Sequence, residues 1–128
     1  VTVSGIDGTG EKITSDWGYA VMAPKKNELV LVELYFTSSR FTGPRSTGIG
    51  DTESAIVGAF RDMGQVESPS GNRGLYADNE NIGKIFVQDG GGKVIHYRAG
   101  TADTHIWQLE YTLNAAGTCV SIDWKFEY

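Results

Sequence analysis

The chain lacks several features that would each point to a particular class of protein. It has one cysteine, Cys119, so an internal disulfide and a metal site built from several cysteines are both excluded. It also lacks an apolar run of the roughly 20 residues that a membrane-spanning helix needs. The longest apolar stretch covers residues 29–36 and is interrupted by Glu33. We therefore expect no transmembrane segment in this chain.

Basic side chains are also scarce. Eleven Lys and Arg face 16 Asp and Glu, which gives a formal net charge of −5. An acidic surface repels phosphate backbones, so nucleic acid is not an expected partner. The length of 128 residues suits one domain with a real core, and 40% hydrophobic residues indicate a globular chain. We expect a flexible leader at residues 1–10, which include three glycines, and a single domain at residues 11–128.

One segment has the periodicity of a helix. Residues 51–63 carry apolar side chains at the i, i+3, i+4, i+7 spacing of an amphipathic helix: Ile56, Ala59, Phe60 and Met63. Asp51 or Thr52 can cap its first turn by accepting a hydrogen bond from a free backbone N–H. Gly64 stands where a left-handed C-terminal cap is favoured. The pattern predicts one short helix with a single apolar stripe.

The other periodic segments predict strands. They lie at residues 17–24, 28–39, 83–88, 93–99, 104–113 and 118–128, with a short candidate at 75–77. In the last strand we expect one apolar face, formed by Val120, Ile122, Trp124 and Phe126, opposite Cys119, Ser121, Asp123 and Lys125. An antiparallel sheet with one buried face needs a cover, which the helix can provide. The predicted fold is therefore α+β, with one short helix packed on a mainly antiparallel meander of about five or six strands.

The segment before and into the helix carries a recognisable motif. Residues 42–52 read TGPRSTGIGDT, and they resemble a T-x-R-G-I-x-I-G-D-S/T run that precedes a short helix in secreted proteins and lipoproteins of Gram-positive bacteria. The matching residues are Thr42, Arg45, Gly48, Ile49, Gly50, Asp51 and Thr52. The resemblance continues to about residue 128, although residues 63–65 replace the Gly-x-Pro that usually follows the helix.

Such domains are similar to the helix-plus-sheet modules of the β-lactamase inhibitor protein and of BamE-type outer-membrane lipoproteins. The inhibitor protein has two such repeats, whereas this chain has one. The resemblance implies a location outside the cell or attached to the envelope, and a role in protein contact. It implies no shared catalytic residue. We therefore expect a non-enzymatic module whose partner is an envelope or extracellular protein.

Aromatic residues beside arginines are the candidate binding residues. Tyr76 lies near Arg73, and Tyr97 is followed by Arg98. Exposed aromatic and arginine side chains are typical of protein and carbohydrate contacts. Ordinary sheet packing is the more common reason for aromatic residues in strands. These four residues are accordingly a hypothesis for a binding surface.

Titratable residues give weaker indications. His105 follows Asp103 at a spacing that suits two metal ligands, but no third ligand is apparent, so we predict neither a metal nor another cofactor. Residues 78–81 contain acidic and amide side chains but lack the complete pattern of a calcium loop. Glu110 and Asp123 can meet across neighbouring strands, with Lys125 close by.

Three functions remain open from the sequence. The leading interpretation is a non-enzymatic, extracellular or envelope-attached protein-interaction module. A cell-surface carbohydrate-binding module is the first alternative, and it requires an exposed, coplanar row of Trp and Tyr side chains. A small hydrolase is the second alternative. It requires His96 or His105 within hydrogen-bond reach of Asp, Glu, Ser or Cys119.

Overall fold

The structure is a computed structural model that describes residues 2–6, 10–60, 73–77, 82–100 and 106–127. For residues 2–6 and 73–77 it describes the backbone alone. The described strands are β1 (Thr2–Ile6), β2 (Gly10–Ser15), β3 (Gly18–Lys25), β4 (Glu28–Phe36), β5 (Arg73–Ala77), β6 (Ile82–Val87), β7 (Lys93–Ala99), β8 (Ile106–Leu113) and β9 (Cys119–Glu127). One α-helix, α1 (Glu53–Ala59), follows a short 3-10 turn at Pro44–Ser46.

All nine strands join one antiparallel sheet in the order β1-β2-β3-β4-β9-β8-β7-β6-β5. The chain forms a meander from β1 to β4, and the connection that contains α1 then leads to the opposite edge. A second meander returns from β5 to β9, which pairs with β4. The α+β class and the antiparallel sheet are confirmed. The predicted number of five or six strands is too low.

The N-terminal strands account for part of the difference between the predicted and the observed number of strands. β1 pairs with β2 from Thr2 opposite Thr14 to Ile6 opposite Gly10. Residues 2–6 therefore belong to the sheet, which corrects the prediction of a flexible leader at residues 1–10. The glycine-rich sequence obscured this strand, because glycine is depleted in strands and carries no alternating side chain.

The helix covers one face of the sheet. The hydrophobic residues with at most 2% exposure form one cluster: Phe36, Ile56, Phe60, Ile85, Ile95, Tyr97, Leu109, Tyr111, Leu113, Cys119 and Ile122. The ring of Phe60 stacks on that of Tyr97, with centroids 4.0 Å apart and planes 19° from parallel. Its centroid also lies 6.3 Å from that of Trp107. The predicted packing of the helix against the sheet is confirmed, and we call the covered side the core face.

The helix begins where its capping residues predict. The side chain of Thr52 accepts a hydrogen bond from the backbone N of Ala55 at 3.2 Å. Asp51, the other candidate cap, instead accepts from the backbone N of Gly48 at 2.8 Å and closes the preceding turn. The regular helix ends at Ala59, whereas the sequence predicted residues 51–63. The predicted end of the helix lies outside the described residues.

A bulge between β8 and β9 changes the predicted pattern at the start of the last strand, while the predicted alternation from Ser121 to Phe126 is confirmed. Thr112 pairs with Ser121, but Leu113 pairs with Cys119, so Val120 is an extra residue in β9. A bulge of this kind reverses the sides on which the following side chains lie. Cys119 is therefore in the core at 1% exposure, whereas Val120 is 40% exposed. The predicted positions of these two residues are wrong.

None of the helices in the described ranges combines the length and the apolar character that crossing a bilayer requires.

Candidate functional site

The side of the sheet opposite the core face, which we call the outer face, carries a row of polar and aromatic side chains. The register places Tyr19 of β3 beside Tyr35 of β4, and Tyr35 beside Asp123 of β9. The same row continues through β8, β7 and β6. We call these six residues the polar row: Tyr19, Tyr35, Asp123, Glu110, His96 and Lys84. Each of them is half-buried or exposed.

Two tyrosines form the aromatic end of the polar row. The rings of Tyr19 and Tyr35 stack with centroids 5.1 Å apart and planes 21° from parallel. Gly18 allows the strands to approach here, because its φ is 136° and an added Cβ would overlap the backbone oxygen of Tyr35. The Tyr19 hydroxyl donates to Glu33 Oε2 at 3.0 Å. Partial burial and this hydrogen bond both raise the pKa of Tyr19.

Carboxyl groups form the centre of the polar row. The pKa of Asp123 is raised to about 7, first by burial and then by a hydrogen bond with Glu33 and the charge of Glu33. The charge of Lys125 lowers this pKa, while that of Glu110 raises it. Asp123 Oδ1 is buried and has no hydrogen-bond partner among the described residues. With a pKa of about 7, the Asp123 carboxyl is present in both its protonated and its ionised form near neutral pH.

A histidine, His96, lies between Glu110 and Lys84 in the polar row. His96 Nδ1 lies 3.5 Å from Glu110 Oε1, and the two residues are direct partners in the register of β7 and β8. Glu110 is also the register partner of Asp123, so the predicted meeting of these two carboxyls across strands is confirmed. The polar row therefore places a histidine, two carboxyls and two tyrosines in one line across five strands.

The four binding residues predicted from the sequence are not brought together on one surface. Tyr97 is 1% exposed and stacks on Phe60 in the core, so its assignment to an exposed binding surface is corrected. Arg98 is half-buried on the outer face, where its register partners are Ile82 and Gln108. The backbones of the other two, Arg73 and Tyr76, lie on β5 at the edge of the sheet. Their side chains are outside the described residues.

The remaining candidates from the sequence do not add a second site. His105, Asp103 and residues 78–81 lie outside the described residues. Within the part of the chain that the structure describes, no group of three or more His, Cys, Asp and Glu residues could hold a metal ion. Cys119 is buried, and burial raises the pKa of its thiol to about 11.

Sequence reasoning did not identify the aromatic half of the polar row. Tyr19 and Tyr35 are distant from Asp123 along the chain, and only the pairing of β4 with β9 brings them together. One signal was present in the sequence. Glu33 interrupts the most apolar strand, and an acidic residue in a central strand requires a polar partner or access to solvent.

Comparison with protein-family models, curated proteins and solved structures gave no match to this chain. The resemblance to secreted proteins and lipoproteins therefore depends on the motif residues alone.

Proposed function

We propose that this chain is a non-enzymatic protein-interaction module, located outside the cell or attached to a bacterial envelope, whose outer face binds a protein partner. The polar row carries this proposal, because it combines stacked tyrosines with carboxyls that are partly withdrawn from water. The location is inferred from the resemblance of residues 42–52 to secreted proteins and lipoproteins.

The division of the two sheet faces supports a binding role for the outer face. The helix and the buried cluster occupy the core face. On the outer face, no described position of β6, β7, β8 or β9 is fully buried, and Phe86 is 38% exposed. Aromatic side chains with a polar atom, surrounded by polar residues, are typical of the centre of a protein interface. Tyrosine also contributes a large contact area while losing little side-chain entropy.

The orientation of the tyrosine rings favours a protein over a carbohydrate. Sugars stack on exposed faces of aromatic rings, and the carbohydrate alternative required a coplanar row of such rings. Tyr19 and Tyr35 instead lie one over the other, with planes 21° from parallel, so they do not form a coplanar row. Trp17, Trp107 and Trp124 are partly buried against the core.

The distribution of reactive groups favours binding over hydrolysis. His96 does contact Glu110, which is one of the contacts that the hydrolase alternative required. Cys119, however, lies in the core on the other side of the sheet from His96. A histidine that serves as general base must reach the nucleophile, directly or through one water.

Affinity capture from a bacterial envelope extract tests the proposal. The immobilised domain is compared with Glu110→Lys, which reverses a charge in the polar row, and with Glu28→Lys, which makes the same change at the exposed first residue of β4. We expect one protein to be retained by the unchanged domain and by Glu28→Lys, but not by Glu110→Lys. Equal retention by all three would place the contact elsewhere. A glycan-array signal lost only in Glu110→Lys would support the carbohydrate alternative instead.

A further inference from the structure

We propose that the partner of the outer face is a basic polypeptide that inserts an arginine side chain at the polar row, where its guanidinium stacks on Tyr35 and pairs with the carboxyls of Asp123 and Glu110. This inference rests on the proposed function and specifies the chemistry of the partner. The supporting observations are the contacts on both sides of Tyr35 and the charge of the groups around it.

The aromatic end of the polar row already holds a cation. Lys12 Nζ lies 4.1 Å from the ring centroid of Tyr19, a distance at which the negative face of a phenol ring attracts an ammonium group. Lys12, Tyr19 and Tyr35 therefore follow one another along the sheet. Tyr35 is the member of this series that adjoins Asp123 in the register. A second cation placed beside Tyr35, on the side of Asp123, would have both an aromatic ring and a carboxyl within reach.

The carboxyl groups supply the charge that such a cation requires. The carboxyls of Glu33 and Glu110 lie close enough to Asp123 for their charges to raise its pKa. The charge of Lys125 lowers the same pKa. Asp123 Oδ1 is buried without a hydrogen-bond partner among the described residues, so the folded domain leaves its capacity to accept a hydrogen bond unused. The whole chain carries a net charge of −5, which favours approach of a basic partner.

An arginine fits these groups better than a lysine. Its planar guanidinium can stack on an aromatic ring while two of its N–H groups donate to carboxylate oxygens. An ammonium group can pair with one carboxyl but does not stack in this way. The polar row crosses six strands in the spatial order β3-β4-β9-β8-β7-β6, which is roughly 24 Å at the usual spacing between strands. A polypeptide can contact the whole of this length, whereas a free cation contacts one point, so a polypeptide is favoured.

Proton release accompanies binding in this arrangement. Because the charge of a bound guanidinium favours the ionised form of Asp123, arginine binding displaces the proton that this carboxyl holds near neutral pH. The titratable and charged groups that face it are Tyr19 of β3, Glu33 and Tyr35 of β4, Glu110 of β8 and Lys125 of β9 itself, with Lys12 and His96 one position further out. Binding should therefore strengthen as the pH rises from 6 to 8, by up to about tenfold for one displaced proton.

The test is an NMR titration of the whole domain with three matched peptides, acetyl-GRGRG-amide and its lysine and citrulline counterparts. Citrulline keeps the shape of arginine without its charge. We expect the arginine peptide to shift the backbone amide signals of Tyr35, Glu110 and Asp123 and to bind several-fold more tightly at pH 8 than at pH 6. The lysine peptide should bind several-fold more weakly, and the citrulline peptide should cause no saturable shift.

Two variants sharpen the titration. Asp123→Asn should weaken arginine binding several-fold and remove its pH dependence. Glu28→Gln removes one charge at the exposed first residue of β4 and should change neither the affinity nor its pH dependence. Shifts that are the same for arginine and citrulline, or that lie away from the polar row, would overturn the arginine inference. If the arginine peptide fails while Glu110→Lys still abolishes capture of a protein partner, the inference about chemistry is wrong and the proposed binding face stands. If the arginine peptide does not bind and Glu110→Lys also leaves capture unchanged, the proposed binding face is wrong too.

Discussion

The hydroxyl groups of Thr47 and Tyr111 lie 2.8 Å apart in the core, although 64 positions separate the two residues in the chain. Thr47 is 2% exposed and also donates its hydroxyl proton to the backbone oxygen of Pro44 at 2.7 Å. The Tyr111 hydroxyl is consequently the donor to Thr47. This chain of two hydrogen bonds joins the turn before the helix to a central strand of the sheet.

Replacement of Thr47 by valine should destabilise the domain more than the loss of one hydrogen bond predicts. Valine has nearly the same shape but leaves the buried Tyr111 hydroxyl without its acceptor, while the Pro44 carbonyl still accepts from the backbone N of residue 47. An unpaired buried group costs about 1–3 kcal/mol. We expect Thr47→Val to lower the free energy of unfolding by about 1–3 kcal/mol on that basis, measured by urea denaturation.

Tyr111→Phe is the matched comparison. It removes the donor to Thr47 but leaves the bond between Thr47 and Pro44 intact, so we expect a loss of about 1 kcal/mol. The double variant should then be close to Thr47→Val alone, because both changes remove the same hydrogen bond. Strictly additive losses would show that the two hydroxyls do not interact in the folded protein.

Truncation of Phe60 should reveal how much the helix contributes to the core. Its ring is 1% exposed, stacks on Tyr97 and also receives the guanidinium of Arg45 at 4.9 Å. Phe60→Ala should lower the free energy of unfolding by about 3–5 kcal/mol. Phe86→Ala removes the same side chain at a position that is 38% exposed, and we expect a loss of about 1 kcal/mol. Similar losses at the two positions would mean that the helix does not cover the sheet.

The position of Phe60 could be predicted from the sequence, whereas the bulge could not. An amphipathic stripe is a local pattern, and a helix with one apolar face has to bury it. The bulge at Val120 depends on which residue of β8 stands opposite each residue of β9. Alternation along one strand cannot reveal an extra residue, since a shift of one position moves every following side chain to the other face.

The polar row shows the same limit for the candidate site. The pairing of Glu110 with Asp123 was accessible because β8 and β9 form a hairpin whose register follows from a short turn. The pairing of Tyr35 with Asp123 joins β4 to β9, and their contact depends on the complete order of the sheet. Local patterns therefore located the acidic half of the row, and the aromatic half required the structure.

The thiol of Cys119 should be unreactive in the folded protein. It is 1% exposed, and burial raises its pKa to about 11. At pH 8 the thiolate fraction is on the order of one part in a thousand, and the thiolate is the form that reacts with iodoacetamide. We expect negligible labelling of the native domain over an hour and complete labelling in 6 M guanidinium chloride, measured by mass spectrometry. Rapid native labelling would place Cys119 on the outer face, as simple alternation along β9 predicts.

The pH dependence of stability should identify the unusual carboxyl of the polar row. Folding raises the pKa of Asp123 to about 7, whereas an aspartate in an unfolded chain has a pKa of about 3.9. Between these values the folded chain binds more protons than the unfolded chain, so this group makes the domain less stable as the pH rises from 4 to 7. The penalty is complete above pH 7 and vanishes below pH 4.

Asp123→Asn removes this penalty because an amide does not ionise. The melting temperature of the variant minus that of the unchanged domain should be larger at pH 8 than at pH 5, by about 3–5 °C. That shift corresponds to about 1 kcal/mol after allowance for the partial exposure of the side chain. Asp16→Asn is the control, since its side chain is 83% exposed, and its relative melting temperature should stay constant. If Asp123→Asn and the unchanged domain have parallel profiles from pH 5 to 8, the Asp123 carboxyl is ionised throughout. Proton release could then not accompany binding at the polar row.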